Sequence, residues 1–437
     1  MPKTSRTKSG TAKPHSPSKT AQQGQARWQW WTRFWPFSTR STGREMVSLS
    51  YYVLLLMALG LLAWGMVMVF STHSVSVAAA GGNVYSDFAR YAAYGFLGLF
   101  AMIAASRIPP RWYHSHFLWV FFLLSLLMQG LVFVPGLGVC VYGNCNWISI
   151  AGVGTLQPSE FLKLSLALVL GHTAVAVTDP EHNRRDQVLM LLAIISALGS
   201  VMMGGDLGTV IVMALLVAGS WWIAGMPKRW FAILGLVGAF LVTLVTVLSA
   251  NRRARIEAWL NPDEADVTGI AYQPMHGRWA LATGGLTGVG PSGSRQKWGY
   301  LTQADSDYIF AVLGEEFGLV GTLAVICFFC AMAYAMFRVM RRHNDLFIAV
   351  TTAGIISWII GQAAINIAVV TGLLPVLGVP LPLMSAGGSS LVSVLAAIGV
   401  VLAFARNEPG AREAFSSRMS SVRRSLAVIA PRRRNRD

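Results

Sequence analysis

Charged side chains that could do chemistry gather in residues 284–318, which read GGLTGVGPSGSRQKWGYLTQADSDYIFAVLGEEFG. This stretch begins as a glycine-rich loop and ends in a long apolar helix. It carries two cations and four carboxylates: Arg295, Lys297, Asp305, Asp307, Glu315 and Glu316. Only 12% of the chain is charged, and carboxylates near a bilayer are costly to hold. These groups are therefore the first functional candidates.

The elements that must position these groups are predicted membrane helices. The chain has 437 residues, of which 54% are hydrophobic, and several apolar runs approach or exceed the roughly 18 residues that cross a bilayer core. The alternating pattern of an outer-membrane barrel is absent. We predict an all-α polytopic membrane protein with ten spans, at residues 48–70, 92–108, 116–134, 158–178, 187–204, 207–225, 230–249, 308–338, 346–372 and 387–405.

Basic residues predict the orientation of these spans. Arginine and lysine occupy alternate short loops on the side of both tails, which predicts that both termini are cytoplasmic. The membrane domain then covers 48–406, with a large outer loop, 250–307, between the seventh and eighth spans. The tails, 1–47 and 407–437, are basic, and the tryptophan-rich segment 27–40 suits the lipid headgroup layer. The net charge of +16 therefore indicates membrane lipids rather than nucleic acid.

The predicted outer loop breaks the charge rule, because it holds six basic residues. Long loops escape that rule, and cations beside carboxylates on the outer face favour a ligand that carries phosphate. The alternative is a solvated loop whose charges pair with each other. The six residues are Arg252, Arg253, Arg255, Arg278, Arg295 and Lys297.

Several polar side chains interrupt the apolar spans. Glu160 and Lys163 are three apart on one helix face, which predicts that they pair inside the bundle. A purely structural ion pair is the alternative. The segment 381–390, LPLMSAGGSS, predicts a broken helix entry, which is tolerated only where it is buried or lines a cavity. The polar groups that could wall such a cavity are Gln157, Glu160, Lys163, Gln362, Asn366, Ser385 and Ser389.

Two of the four cysteines share a short predicted outer loop. Oxidation of Cys140 and Cys145 is possible there, and the sequence leaves a bond between them open.

Five motifs in one order resemble the SEDS family (shape, elongation, division and sporulation) of the FtsW and RodA type. The resemblance covers about residues 48–406. The basic, tryptophan-rich N-terminal extension and the long C-terminal tail are more similar to the division type, FtsW, than to the elongation type, RodA. The motifs are QPSE at 157–160, DLGT at 206–209, GGLTGVG with SRQK at 284–297, SDYIFAVLGEEFG at 306–318 and PLPLMSAGGSS at 380–390.

This resemblance implies a peptidoglycan glycosyltransferase that polymerises lipid II at the outer face of the cytoplasmic membrane. The family's catalytic aspartate falls on Asp307 in DSDY. The sequence departs from the family in having Asp305 where a histidine is common, Ala386 where a tyrosine often stands, and Gly205 in place of a proline.

The implied chemistry assigns roles to these residues. Asp307 would act as the base that takes a proton from the 4-hydroxyl of lipid II, while cations neutralise the departing diphosphate. Direct displacement would invert the anomeric carbon. The expected substrate- and diphosphate-binding residues are Arg255, Arg278, Arg295, Lys297, Lys163, Glu160, Gln157, Gln296, Asn366, Ser385 and Ser389.

Cofactor and partners follow from the same resemblance. Hard oxygen ligands at Asp305, Asp307 or Glu315 suit Mg²⁺ or Mn²⁺, and no organic cofactor is expected. The implied partners are a class B penicillin-binding protein, other proteins of the division septum, lipid II and the nascent glycan strand. Two other functions stay open, a lipid II transporter and a division scaffold without chemistry. Charge concentrated at the outer mouth favours the enzyme over the transporter.

Overall fold

The structure is a computed structural model that describes residues 49–141, 144–150, 154–174, 184–262, 266 and 268–408. Both predicted tails, including the tryptophan-rich segment, lie outside these residues apart from 407 and 408. The described residues form thirteen helices. They are α1 Leu49–Ala79, α2 Val84–Arg107, α3 Pro110–Tyr113, α4 Phe117–Gly130, α5 Pro158–His172, α6 Arg184–Met203, α7 Leu207–Ala224, α8 Lys228–Leu248, α9 Ala250–Leu260, α10 Tyr272–Gly284, α11 Ile309–Arg342, α12 Leu346–Val370 and α13 Gly388–Arg406.

Ten of these helices coincide with the ten predicted spans, which confirms the polytopic helical architecture. Eight are long and apolar enough to cross a membrane. The other two are α4, which continues into a 3₁₀ turn at Leu131–Phe133, and α5. Helix α5 is buried on nearly every side because α4, α6, α7, α12 and α13 pack around it. It is the centre of the bundle.

Helix α1 is longer than its predicted span, which ended at residue 70. It continues through the polar segment STHS at 71–74 to Ala79. Hydropathy falls in that segment, but the backbone stays helical because Ser71 and His73 find partners inside the protein. Helix α2 likewise begins at Val84, before the predicted residue 92, with the Asn83 side chain as its N-cap.

A small antiparallel sheet, which the sequence did not predict, precedes α5. Its strands are β1 Gly138–Val141, β2 Asn144–Ile150 and β3 Gly154–Leu156, paired in that order. A disulfide joins Cys140 to Cys145 across β1 and β2. The sheet lies between α4 and α5 in the chain, and it contacts the turn before α7.

Helix α11 is broken near its start, and the glycine-rich loop 284–290 repairs the break. Gly318 has φ 65° and ψ −161°, which interrupts the helical hydrogen-bond ladder. The loop replaces the missing partners: the carbonyls of Gly285 and Leu286 accept from Leu319 and Val320 at 2.9 and 3.1 Å. In return, Val289 and Gly290 donate to the carbonyls of residues 315 and 316. The backbone of the glycine-rich loop therefore supplies the hydrogen bonds that are missing at the break in α11, the helix that follows Asp307.

We predict that Gly318→Ala destabilises the protein. A β-carbon there would lie 2.5 Å from the Leu286 carbonyl, and its φ is unfavourable for any residue with a side chain. The expected cost is about 1–3 kcal/mol, seen as a lower melting temperature in detergent.

Gly235→Ala is the matched control, because Gly235 lies within α8 and a β-carbon there meets nothing within 4 Å. That substitution should leave the melting temperature unchanged or raise it slightly. Equal melting temperatures for the two variants would contradict the claim that the loop stabilises α11 at Gly318.

Candidate active site

Asp307 lies in the turn that leads into α11 and is held from two sides. The Asn366 side chain, on α12, donates to the Asp307 carbonyl at 2.7 Å and to the Val379 carbonyl at 2.8 Å. The Asp307 carboxylate faces the 371–387 loop, where a β-carbon on Gly378 would lie 3.7 Å from Oδ2. Asn366, a predicted site residue, therefore positions the carboxylate through its backbone.

The surroundings of Asp307 change its proton affinity. Burial raises its pKa to about 7, and the negative charges of Asp305 and Asp206 act in the same direction. The positive charge of Arg255 lowers the pKa in part. The side chain retains partial exposure to solvent. A carboxyl group that titrates near neutral pH is suited to act as a general base.

Asp305 has a different environment two residues earlier. Its carboxylate is 3.3 Å from Nδ1 of His73, on the extension of α1, and both side chains are about one-third exposed, at 32% and 35%. Its carbonyl accepts from the Ala386 amide at 2.9 Å. Helix α1 therefore brings an imidazole next to Asp305 from a distant part of the chain.

Two of the predicted cations line a cavity of about 70 Å³ beside this turn. Arg255 lies on α9 and Arg278 on α10, and the cavity is closed by the end of α12 and the loop that follows it. Trp259 ties α9 to that loop, because its indole donates to the Gly372 carbonyl at 2.9 Å. The charges of both arginines act on the ring of Tyr308, next to Asp307. The structure therefore brings Arg255 and Arg278 to one cavity, and the charge of Arg255 also acts on the Asp307 carboxylate.

Lys297 does not line the cavity that Arg255 and Arg278 share. Its ammonium is buried, 2.8 Å from a carboxylate oxygen of Glu316 and 2.8 Å from the Ser71 hydroxyl of α1. Arg295 is exposed, and its side chain is not among those that line the cavity. Gln296 is 2.6 Å from Nδ1 of His276 and so contacts α10. Gln296 and Lys297 therefore attach the loop before Asp307 to the helical bundle.

Glu315 is equally committed. Its carboxylate accepts from the Ser294 hydroxyl at 2.5 Å and from the backbone amides of Arg295 and Gln296 at 3.0 and 3.3 Å. The side chain is fully buried. Among the described residues, no group of three or more histidine, cysteine, aspartate or glutamate side chains could hold a metal ion. Of the predicted alternatives Asp305, Asp307 and Glu315, the Glu315 carboxylate is therefore occupied by hydrogen bonds within the protein.

Glu160 and Lys163 form the predicted pair inside the bundle. They are 2.8 Å apart and almost fully buried. Lys163 also donates to the Gln362 side chain at 3.0 Å and lies over the Trp358 ring, while the Ser393 hydroxyl donates to Glu160. These contacts satisfy the pair within the protein.

The remaining predicted polar residues bond to the turns before α7 and α11 and to the start of α13. Gln157 donates from its side chain to Asp206 at 3.0 Å and from its backbone to the Ser389 hydroxyl at 3.1 Å. The Ser385 hydroxyl donates to the Ser306 carbonyl at 2.8 Å. Burial raises the pKa of Asp206, and hydrogen bonds from Thr209 oppose that shift. These residues therefore shape the site.

Comparison with known proteins identifies the family. Residues 51–409 match the model of the FtsW/RodA/SpoVE family, described as cell cycle protein. The chain belongs to this family. It is 34% identical over 393 residues to the probable peptidoglycan glycosyltransferase FtsW of Mycobacterium tuberculosis, which covers 89% of this chain and 74% of that protein. It is 33% identical over 358 residues to the stage V sporulation protein E of Bacillus subtilis, covering 81% and 96%.

Solved structures share the fold of this FtsW/RodA/SpoVE member. One is described as "Structural coordination of polymerization and crosslinking by a peptidoglycan synthase complex", with a TM-score of 0.65 and 24% identity over 82% of this chain and 97% of that chain. Another is the rod shape determining protein RodA of Thermus thermophilus, with a TM-score of 0.59 and 24% identity, covering 81% and 96%. Both support the bundle described above.

Sequence reasoning missed several residues of this family member's site. His73, which contacts Asp305, lies beyond the predicted end of the first span. Arg252 was predicted as a loop cation, but its contact with the turn before α7, through the Gly205 carbonyl at 2.6 Å, was not. Tyr91, from α2, donates to the Ser385 carbonyl at 3.0 Å. The polar run STHS at the end of an apolar span was the available signal, because polar side chains at a helix end next to lipid require partners.

We predict that Lys297→Met destabilises the folded protein, because it leaves Glu316 buried without its cation. Breaking a buried ion pair costs about 3–5 kcal/mol, which a lower melting temperature in detergent would report. Arg295→Met is the control, since Arg295 is exposed two residues away. Equal stability of both variants would show that the buried pair does not hold the loop.

Proposed function

We propose that this chain is a peptidoglycan glycosyltransferase that polymerises lipid II into β-1,4 glycan strands at the outer face of the cytoplasmic membrane, for septal wall synthesis. The observation that carries the proposal is the carboxyl of Asp307, with a pKa of about 7, beside a cavity lined by two arginines. Relatives that are about one-third identical over most of the chain are named as probable peptidoglycan glycosyltransferases.

Asp307 supplies the base of the proposed reaction. The 4-hydroxyl of lipid II is a poor nucleophile at neutral pH, and a base within hydrogen-bond reach removes its proton as the oxygen attacks the anomeric carbon of the growing strand. The bond from that carbon to the lipid diphosphate breaks, and the diphosphate leaves with the electron pair. One direct displacement converts an α-linked donor into a β bond. A second carboxylic acid is not required, because diphosphate is a good leaving group.

Arg255 and Arg278 are the proposed counter-charges for the leaving diphosphate. Guanidinium groups bind phosphate oxygens in pairs of hydrogen bonds. Both groups line one cavity, and their charges act on Tyr308, the residue after Asp307. Lys297 and Lys163 are held by buried carboxylates instead, so we assign them to positioning. Mg²⁺ or Mn²⁺ stays a prediction. No step here depends on a metal.

The proposed orientation places this site outside the cytoplasm. Arg342, at the end of α11, pairs with Glu408 at 3.1 Å, and Arg406, at the end of α13, donates to the Ser106 carbonyl of α2. These basic helix ends lie together at the end of the bundle from which the C-terminal tail leaves. The positive-inside rule favours that end as cytoplasmic. A class B penicillin-binding protein is the proposed partner, and the structural relative described as part of a peptidoglycan synthase complex supports it.

A lipid II transporter is less well supported. Transport requires polar groups that line a path through the bundle. In the described part of the chain, the charged pair in the centre, Glu160 and Lys163, is satisfied by Gln362 and Ser393 and almost fully buried. This arrangement favours a closed interior with the reaction at one end.

The direct experiment is incubation of the purified protein and its transpeptidase partner with labelled lipid II at a series of pH values. We expect glycan strands, with a rate that falls as the pH is lowered through about 7, because protonation removes the base form of Asp307. Asp307→Asn, which has a similar size, should make no strands at any of these pH values. Strand synthesis by that variant at the normal rate would defeat the assignment.

We predict that Arg255→Ala and Arg278→Ala each slow polymerisation on the order of 100-fold, as expected when a group that stabilises developing charge is removed. Arg255→Ala should also move the fall in rate to higher pH, because the arginine lowers the pKa of Asp307. Arg295→Ala, an exposed arginine of the same loop region, is the control and should retain its rate. Full activity of both test variants would contradict the diphosphate role.

A further inference from the structure

The hairpin of β1 and β2 is a feature that the proposed reaction leaves unexplained. Its two strands are joined by the disulfide between Cys140 and Cys145, which face each other in the strand register. Cys140 is exposed and Cys145 is partly exposed. The hairpin lies on the side of the bundle where α7 begins, the same side as Asp307.

The hairpin binds the turn before α7 through hydrogen bonds to the carbonyl of Gly204 in that turn. The Cys145 amide donates to that carbonyl at 2.8 Å. The Asn146 side-chain amide, in the orientation that satisfies its hydrogen bonds, donates to the same oxygen and to the Cys145 carbonyl, each at 3.0 Å. Asn146 is buried, with 4% of its surface exposed. One cystine residue and its neighbour therefore fix the turn.

Gly205 fits this close approach. Its φ is 81°, and a β-carbon there would lie 2.7 Å from Oδ1 of Asn144, on the hairpin. A proline there would require a φ near −65° and would carry extra atoms towards Asn144. Glycine at this position is therefore matched to the presence of the hairpin.

The turn leads directly to the charges around Asp307. Asp206 accepts from Gln157 and from Thr209, and its negative charge raises the pKa of Asp307. The Gly205 carbonyl accepts from Arg252 at 2.6 Å. Arg252 is one helical turn before Arg255 on α9, and the charge of Arg255 also acts on Asp307. A shift of the turn would therefore move one carboxylate and the helix that carries an active-site arginine.

We propose that the disulfide-closed hairpin is a positioning element of the active site, and that reduction of Cys140–Cys145 slows the reaction by releasing the Gly204–Asp206 turn. The inference rests on the proposed function. Reduction by a dithiol transfers two electrons and two protons, so that the protein gains two thiols and the dithiol becomes a disulfide. The proposed outer location is oxidising, and a disulfide persists there.

The cross-link matters because the strands are short. β1 has four residues and is an edge strand, which pairs with β2 alone in the described sheet, so few ladder hydrogen bonds hold it in place without the cross-link. With the disulfide intact, the hairpin keeps Cys145 and Asn146 against the Gly204 carbonyl. Without it, the hairpin populates states in which these donors are withdrawn, and the turn becomes more mobile while the helical bundle stays folded.

The test compares oxidised and reduced protein in one background. Cys327→Ser and Cys330→Ser remove the two free cysteines, which are exposed on α11, so that Cys140 and Cys145 are the remaining pair. A dithiol reductant is then added, and polymerisation of labelled lipid II with the transpeptidase partner is measured as kcat and KM. We expect kcat to fall about tenfold with little change in KM, as displaced active-site groups produce. The further variant Cys140→Ser with Cys145→Ser should be slow from the start and insensitive to the reductant.

Hydrogen exchange provides a readout that does not depend on activity. We expect reduction to speed amide exchange at 204–209 while the melting temperature changes little. Asn146→Ala, which keeps the disulfide and removes a donor to Gly204, should reproduce both the faster local exchange and the lower kcat. Unchanged exchange and kcat after reduction would overturn the inference, and so would a uniform loss of folded protein, since the hairpin would then serve stability alone. If the oxidised protein makes no strands, the proposed function fails, while the exchange data still decide whether the hairpin positions the turn.

Discussion

The structure depends on one constraint, that charges inside a bundle of apolar helices must be matched. Taking an ion out of water costs several kcal/mol unless a partner and hydrogen bonds compensate. Lys163 meets Glu160 in the centre, and Lys297 meets Glu316 where the loop joins α1. Glu315 is satisfied by three donors of one loop. Asp307 differs, because burial, together with the negative charges of Asp305 and Asp206, raises its pKa to about 7. The matched charges build a rigid frame, and the poorly matched one is available for chemistry.

Much of this fold could be predicted from the sequence, since long apolar runs have few alternatives in a membrane. The ten spans followed from hydropathy alone. The polar extension of α1 could not be predicted from hydropathy, because His73 has its partner in a part of the chain that is distant in sequence. The short sheet was missed for a related reason: its strands depend on each other and on the Gly204 turn rather than on local periodicity. Non-local contacts decide such elements.

The sequence indicated which kinds of residue the candidate site contains better than it indicated which of them contact one another. The structure places Asp307 in the turn before α11 and brings Arg255 and Arg278 to one cavity, while their roles stay predictions. Lys297 was predicted to have the same role as those arginines, because the sequence shows that it is charged but does not show that it pairs with Glu316. The glycine-rich loop looked like a ligand-binding loop, yet its backbone completes the broken helix at Gly318. Each difference arises from groups that satisfy one another within the protein.

The central claim is that the fold raises the proton affinity of Asp307 into the neutral range. The most direct measurement is an infrared titration of the purified protein, taken as the difference between wild type and Asp307→Asn, which isolates the carboxyl band of this side chain. The account predicts a protonated-carboxyl band that disappears with a midpoint near pH 7, in line with a pKa of about 7. A midpoint near that of a free aspartate, about 3.9, would contradict it.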